Sequence, residues 1–194
     1  PFLAALYKGE LINKDLLFEL IHRWRDKAKN GNLISCCSNC YKSEDKDWTE
    51  DDYIDQVYIS HFQECNSKCV YCITDIKPKD RKKNSYKILP VLLDMKNKGI
   101  LKKDCEFHIG GGEFTIYPEC ENIIKSFILS DFAKRLAVAS NGIKFSKALF
   151  QAMSVDKGVV IISLDCGSRE LFKKIKQVDK FNDVLKNISK YCKN

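Results

Sequence analysis

The chain has 194 residues, 44% of them hydrophobic, which suffices for one domain with a real core. It contains no run of roughly eighteen apolar residues, which excludes a membrane-spanning helix in this sequence. The net charge of +7, from 33 basic and 26 acidic residues, is a modest excess spread along the chain and does not by itself mark a nucleic-acid binder.

Residues 1–7 are apolar but carry no basic leader and no cleavage site, so they are not read as a secretory signal. A chain that opens on Pro1 without Met is expected to be processed or trimmed. Leu17, Leu20, Ile21, Trp24 and Ala28 recur at helical spacing and predict an amphipathic helix over 14–28, with Gly31 at its stop. Cys36, Cys37 and Cys40 follow, then an acidic segment over 43–55 with the character of an exposed loop. Residues 1–55 therefore form an N-terminal helical, cysteine-containing extension, and 56–194 form the core.

From Val57 the pattern alternates. Strands are expected over 57–62, 106–109, 136–139 and 159–164. Helices are expected over 84–98, from Pro118 through Ile128, over 145–153, and in a closing helical region that includes Phe172, Ile175, Val184 and Ile188. The fourth strand is apolar almost throughout, as for a strand buried on both faces. Four strand–helix alternations predict βαβ units, a parallel sheet and right-handed crossovers. The densest basic run, over 77–83, reads as a solvated loop leading into a helix, with a patch for an anionic partner as the alternative. No nucleic-acid module accompanies it.

Ten cysteines is below the density of a disulfide scaffold, and they cluster. In a reducing, cytoplasmic setting clustered cysteines point to metal. Cys65, Cys69 and Cys72 have the spacing C-x3-C-x2-C just after the first strand. Thiolates are the ligands of iron–sulfur clusters, and three of them hold three irons of a cubane and leave the fourth open. A ferredoxin run would continue to a fourth Cys followed by Pro, whereas Cys72 is followed by Ile73, Thr74 and Asp75. A closed structural zinc site, completed from Cys37 and Cys40, remains an alternative. In parallel α/β folds ligand-binding residues sit where strands end. Gly110, Gly111, Gly112 and Glu113 follow the second strand, Ser140 and Asn141 the third, and Ser163 and Asp165 the fourth. Glycines let a ligand approach the backbone, and a carboxylate beside them can accept from an ammonium group. No G-x-G-x-x-G opens a helix, so the dinucleotide fingerprint is absent.

The cysteine spacing, with aromatic Tyr71 before the last cysteine, resembles the signature loop of the radical SAM superfamily, and the resemblance runs over about 57–191. It implies an α/β fold, a parallel-sheet partial (βα) barrel of which about four βα units are present. It implies as cofactors a [4Fe–4S] cluster on Cys65, Cys69 and Cys72, and S-adenosylmethionine chelated to the open iron. One electron, from a flavodoxin- or ferredoxin-like donor, then yields a 5′-deoxyadenosyl radical that abstracts hydrogen from substrate. Gly111, Gly112 and Glu113 are similar to the motif that holds the methionine amino group, with Phe114 where many members have proline. Ser140 and Asn141 are similar to the segment near the ribose and carboxylate, and Ser163 with Asp165 to the acidic position that reaches the ribose hydroxyls. Tyr71 packs against the adenine by the same analogy. Arg169 and Lys176 are read as a solvated helix start, with binding of the methionine carboxylate or of substrate as the alternative. Residues 163–168 are closest to the branch that modifies peptides or proteins, which makes a peptide the first substrate expected and a small molecule or nucleotide sugar the next. A complete family core has two further βα units, so a fragment or a shortened barrel is expected.

Cys36, Cys37 and Cys40 are either an auxiliary metal site or ordinary thiols. Cys105, Cys120, Cys166 and Cys192 are mostly packing residues, and His61 and His108 are strand residues in the core. A non-catalytic iron–sulfur or zinc module for electron transfer, or an inactive core fragment, is the competing function.

Overall fold

The computed structural model describes residues 13–31, 53–72, 87–130 and 133–193. Helix α1 spans Lys14–Lys29. Strand β1 (Ile54–Ile59), helix α2 (Ile88–Asn97) and strand β2 (Leu101–Ile109) follow. A 3-10 turn over Phe114–Ile116 leads to helix α3 (Cys120–Leu129) and strand β3 (Ala133–Ser140). Helix α4 (Lys147–Ser154), strand β4 (Gly158–Ile162), helix α5 (Arg169–Lys176) and helix α6 (Phe181–Tyr191) complete the order.

The four strands form one sheet in sequential order, β1-β2-β3-β4, and every pairing is parallel. Crossovers that all step the same way, with the usual right hand, place their helices on one face of the sheet. Burial agrees. Ile59, Phe107, Ile109, Leu136 and Val138 are nearly or fully buried and belong to one core cluster with α2, α3 and α4. The alternate residues face the other way, because successive side chains in a strand point to opposite faces. On that face Tyr58 is 69% exposed and Ile161 54% exposed. Leu17 and Phe18 of α1 join the same core cluster, whereas the side chains of Trp24 and Ala28 lie outside the described residues.

Local signals explain the helix starts. The Ser146 hydroxyl accepts from Leu149 N at 3.1 Å and caps α4. Ser168 does the same for α5 through Leu171 N at 3.3 Å. Glu121 of α3 reinforces the α4 start, accepting from Ser146 Oγ at 2.7 Å and Ala148 N at 2.8 Å.

Four expectations change. β1 lies three residues earlier than 57–62, so His61 follows the strand and is not part of it. β2 and β3 each extend beyond their expected bounds, as the apolar patches 106–109 and 136–139 mark only the most buried stretch of each. The closing region is two helices, broken where Gln177 takes a left-handed conformation at φ 57°. β4 is not buried on both faces: Val160 and Ile162 pack on the core, but Ile161 points from the uncovered face. An apolar β-branched run suits a pleated surface whether one or both faces are covered.

Candidate iron–sulfur and cofactor site

The carboxyl ends of the strands converge through backbone contacts that only glycine permits. Beyond the ends of β1 and β2 the ladder continues: Gly110 N donates to Ile59 O at 2.9 Å, Gly112 N to Phe62 O at 2.8 Å and Glu113 N to Glu64 O at 2.7 Å. A Cβ on Gly111 would lie 2.6 Å from Ser60 Oγ and 2.9 Å from Phe62 O, and Gly111 has φ 104°. A Cβ on Gly112 would lie 2.6 Å from the Gln63 carbonyl carbon. The glycines thus serve the close approach of one loop to another, and that approach delivers the chain at Cys65 to the end of the sheet.

Two further anchors hold the cysteine loop. Lys68 N donates to Lys176 O at 3.0 Å and Val70 N to Ile175 O at 2.9 Å, so the amides flanking Cys69 are tied to the end of α5. Asn141 Nδ2 donates to Asn66 Oδ1 at 2.6 Å and lies 3.7 Å from Cys65 Sγ. Ser67 Oγ sits 3.2 Å from Cys65 Sγ and 3.5 Å from Cys69 Sγ, bridging two of the thiols. Cys72 N donates to Cys69 O at 3.1 Å and closes the turn that presents the third.

All three cysteines line one cavity of about 180 Å³. Gly111, Gly112 and Glu113 from the end of β2, Ser140 and Asn141 from β3, and Ser163 from β4 line it too. The residues singled out in the sequence, Asp165 excepted, therefore meet at one place, together with Lys176. The donor set fits a cluster: three soft thiols, and no fourth Cys or His among the lining residues, leave one iron open to an exogenous ligand. Among the described residues no three His, Cys, Asp or Glu are grouped to hold a single metal ion. A cubane needs no such grouping, because each thiolate binds its own iron.

Glu113 is 1% exposed. Its Oε1 accepts from Thr115 N at 3.2 Å, Thr115 Oγ1 at 2.5 Å and Ser140 Oγ at 2.8 Å, and its Oε2 accepts from Asn141 N at 2.6 Å. One carboxylate thereby caps the 3-10 turn and ties the end of β2 to the end of β3. Ser140 Oγ in turn accepts from Gly142 N at 3.0 Å, and Asn141 Oδ1 accepts from Ile143 N at 3.0 Å. Such a network, with every member partnered, is rigid.

Asp165, expected beside the ligand, is not among the residues that line the cavity, and it has a left-handed backbone at φ 60°. Its carboxylate accepts from the Tyr71 hydroxyl and forms an ion pair with Lys176, whose ammonium also donates to Tyr71 Oη at 2.7 Å and stands 5.4 Å from the centre of the Tyr71 ring. Burial pushes the Asp165 carboxyl up, but the hydrogen bonds from Lys176 and Tyr71 outweigh it and hold it below its ordinary value. Burial opposes the charge on Lys176, and Asp165 with Tyr71 overcomes this and raises its pKa.

For Lys176 the solvated reading fails, and the alternative that put it near the ligand agrees with its place in the cavity lining. It ends α5 and is 1% exposed, not solvated at a helix start. Its signal was the pair Phe172 and Lys176, four apart on the buried stripe of α5. Arg169 does sit at the exposed helix start, where Nε and Nη2 each reach Asp179 at 2.8 Å. Cys105 and Cys120 are buried packing residues, and burial pushes both thiols up to about 12. Cys166 is half-buried and Cys192 exposed. His61 is buried edge-on against Phe114 and Tyr117, and burial lowers its pKa to about 4. His108 stacks on Tyr58 with ring centres 4.5 Å apart. The proposed auxiliary cysteines 36, 37 and 40 and the basic run 77–83 lie outside the described residues. No helix among the described residues is long and apolar enough to cross a membrane.

The chain is similar to known proteins. It is 24% identical over 132 residues to GTP 3′,8-cyclase of Haemophilus influenzae, covering 68% of this chain and 39% of the relative. The GTP 3′,8-cyclase of Vibrio parahaemolyticus is 28% identical over 160 residues, 79% of this chain and 46% of the relative. The molybdenum cofactor biosynthesis protein moc-5 of Caenorhabditis elegans is 28% identical over 134 residues, 67% of this chain and 22% of the relative. The chain thus spans less than half the length of each of these relatives. Among solved structures, Streptococcus suis SuiB bound to S-adenosylmethionine superposes with a TM-score of 0.49 at 15% identity, over 88% of this chain and 49% of that one. The model of the Radical SAM superfamily matches residues 59–194, from the last residue of β1 through both closing helices, and the chain belongs to that superfamily.

Proposed function

We propose that residues 56–194 are the catalytic core of an enzyme that cleaves S-adenosylmethionine reductively and uses the resulting radical on a nucleotide substrate. The cofactors of the superfamily are a [4Fe–4S] cluster and S-adenosylmethionine. When bound, they supply one-electron cleavage of the sulfonium and a hydrogen-abstracting radical. The observation that carries the reading is the common cavity of Cys65, Cys69 and Cys72 with the ends of β2, β3 and β4.

The chain's own residues have distinct tasks in this reading. Cys65, Cys69 and Cys72 hold the cluster. The exposed edges of Gly111 and Gly112 receive the methionine end of the second ligand, and Glu113, already braced by Ser140 and Asn141, keeps that floor rigid. Ser163 lines the cavity at the end of β4 and suits a ligand hydroxyl, and Tyr71 lines it beside Cys72. The sheet and its helices keep bulk water from the floor of the cavity.

Radical SAM enzymes generally need an electron donor and a substrate, and a flavodoxin- or ferredoxin-like donor suits this cluster. For the substrate, the GTP 3′,8-cyclases among the relatives favour a nucleotide over the peptide first expected. The test is anaerobic reconstitution of the chain with iron and sulfide, then addition of dithionite and S-adenosylmethionine. 5′-Deoxyadenosine is expected to form, and Cys69→Ala is expected to reduce it at least 100-fold. A Cys69→Ala variant at wild-type rate would overturn the assignment. Stimulation of turnover by GTP, and not by mixed peptides, is expected from the substrate reading; the reverse would sink it.

A further inference from the structure

We propose that the Lys176–Asp165 ion pair sets the reduction potential of the cluster held by Cys65, Cys69 and Cys72, with Lys176 raising it and Asp165 lowering it. This rests on the cluster reading above and adds a role for two residues that do not ligate it.

Four observations support it. The Lys176 side chain is 2% exposed, whereas that of Asp165 is 35% exposed. Lys176 lines the thiol cavity and Asp165 does not, so Lys176 is the member of the pair that faces the thiols. Lys176 also holds the loop it faces: its carbonyl accepts from Lys68 N, and its ammonium binds Tyr71, so it engages residues on both sides of Cys69. Finally, Tyr71 donates to Asp165 while accepting from Lys176, so both charges meet on a residue of the cysteine loop.

The sign follows from electrostatics. Three thiolates outweigh the positive charge of a cubane core, so the ligated cluster is anionic and becomes more so on reduction. Reduction moves one electron into the cluster and breaks no bond. A buried ammonium stabilises the added electron, and a carboxylate opposes it. The Lys176 charge, buried in this way, is little screened by salt. Substitution of one member leaves the other unbalanced, so the two substitutions shift the potential in opposite senses. A pair that only shaped the loop would shift it the same way in both variants, or in neither.

The experiment is an anaerobic titration of the reconstituted full chain with dithionite, followed by electron paramagnetic resonance in the absence of S-adenosylmethionine. Lys176→Met is expected to move the midpoint to more negative potential and Asp165→Asn to less negative potential. Lys176→Arg, which keeps the charge, is expected to stay at the wild-type value. If Lys176→Met takes up no cluster, the other two variants decide: the proposal requires Asp165→Asn to rise and Lys176→Arg to hold. Equal iron content with shifts in one direction, or with none, overturns the proposal and leaves the cluster reading intact. A wild-type chain that takes up no cluster overturns both.

Discussion

The two ends of the sheet differ in how they treat polar groups. At the carboxyl end the cavity measures about 180 Å³ and a group of its polar side chains is buried and mutually bonded, Glu113 alone accepting from Thr115, Ser140 and Asn141. At the amino end a larger cavity, about 600 Å³, is lined by Lys102, Lys103, Lys134, Asp55, Asp104 and Glu106. Its charges are of both signs, and the Lys134–Glu106 pair spans 3.6 Å at the surface. The larger hollow contains no thiol and no bonded buried carboxylate. Volume is therefore a poor guide to the site, and the burial of satisfied polar groups is a better one, since such groups are costly unless held for a purpose.

Three substitutions break or sharpen that contrast. The largest effect is expected at Glu113. Glu113→Ala strands the donors of Thr115, Ser140 and Asn141 in a buried place, at a cost of more than about 3 kcal/mol. Urea unfolding of the full chain measures it, and a loss below about 1 kcal/mol would show that the network is not rigid.

His61 comes next. Its folded pKa of about 4 lies below the unfolded value of 6.5, so between these pH values the unfolded chain binds more protons. Stability from this residue is complete above about pH 6.5 and is lost as the pH falls toward 4, by roughly 3 kcal/mol at most. His61→Phe, which preserves a ring against Phe114 and Tyr117, is expected to flatten the pH dependence of the unfolding free energy across that window. An unchanged slope would place the titrating group elsewhere. The smallest effect is expected at the amino end, where Lys134→Ala should alter stability by no more than about 0.5 kcal/mol and leave iron uptake unchanged.

Much of the fold was legible from periodicity. The helix over 14–28 and the four strand–helix alternations correspond to observed elements, because apolar stripes of period 3.6 and 2 each have one way to reach a core. Strand ends were less legible: Ile54 pairs with Leu101 and packs against the core, but the polar Asp55 and Gln56, at a shift in register, separate it from the apolar run. Two helices read as one region because the left-handed break at Gln177 has no glycine to announce it. That the three cysteines, the glycines and Glu113 would meet at the strand ends was legible because their spacing on strand-end loops is local information.

The sequence alone determined the grouping of the three cysteines, since three cysteines within eight residues share one loop in any compact fold, and it determined the parallel α/β class through its alternating periods. Tertiary structure decided which polar groups face that loop. Lys176 and Asp165 are each distant in sequence from Cys69, and only the packing of α5 against the cysteine loop brings their opposite charges to Tyr71. The physical reason is range: periodicity and spacing act over a few residues, whereas an ion pair across elements depends on where whole helices come to rest.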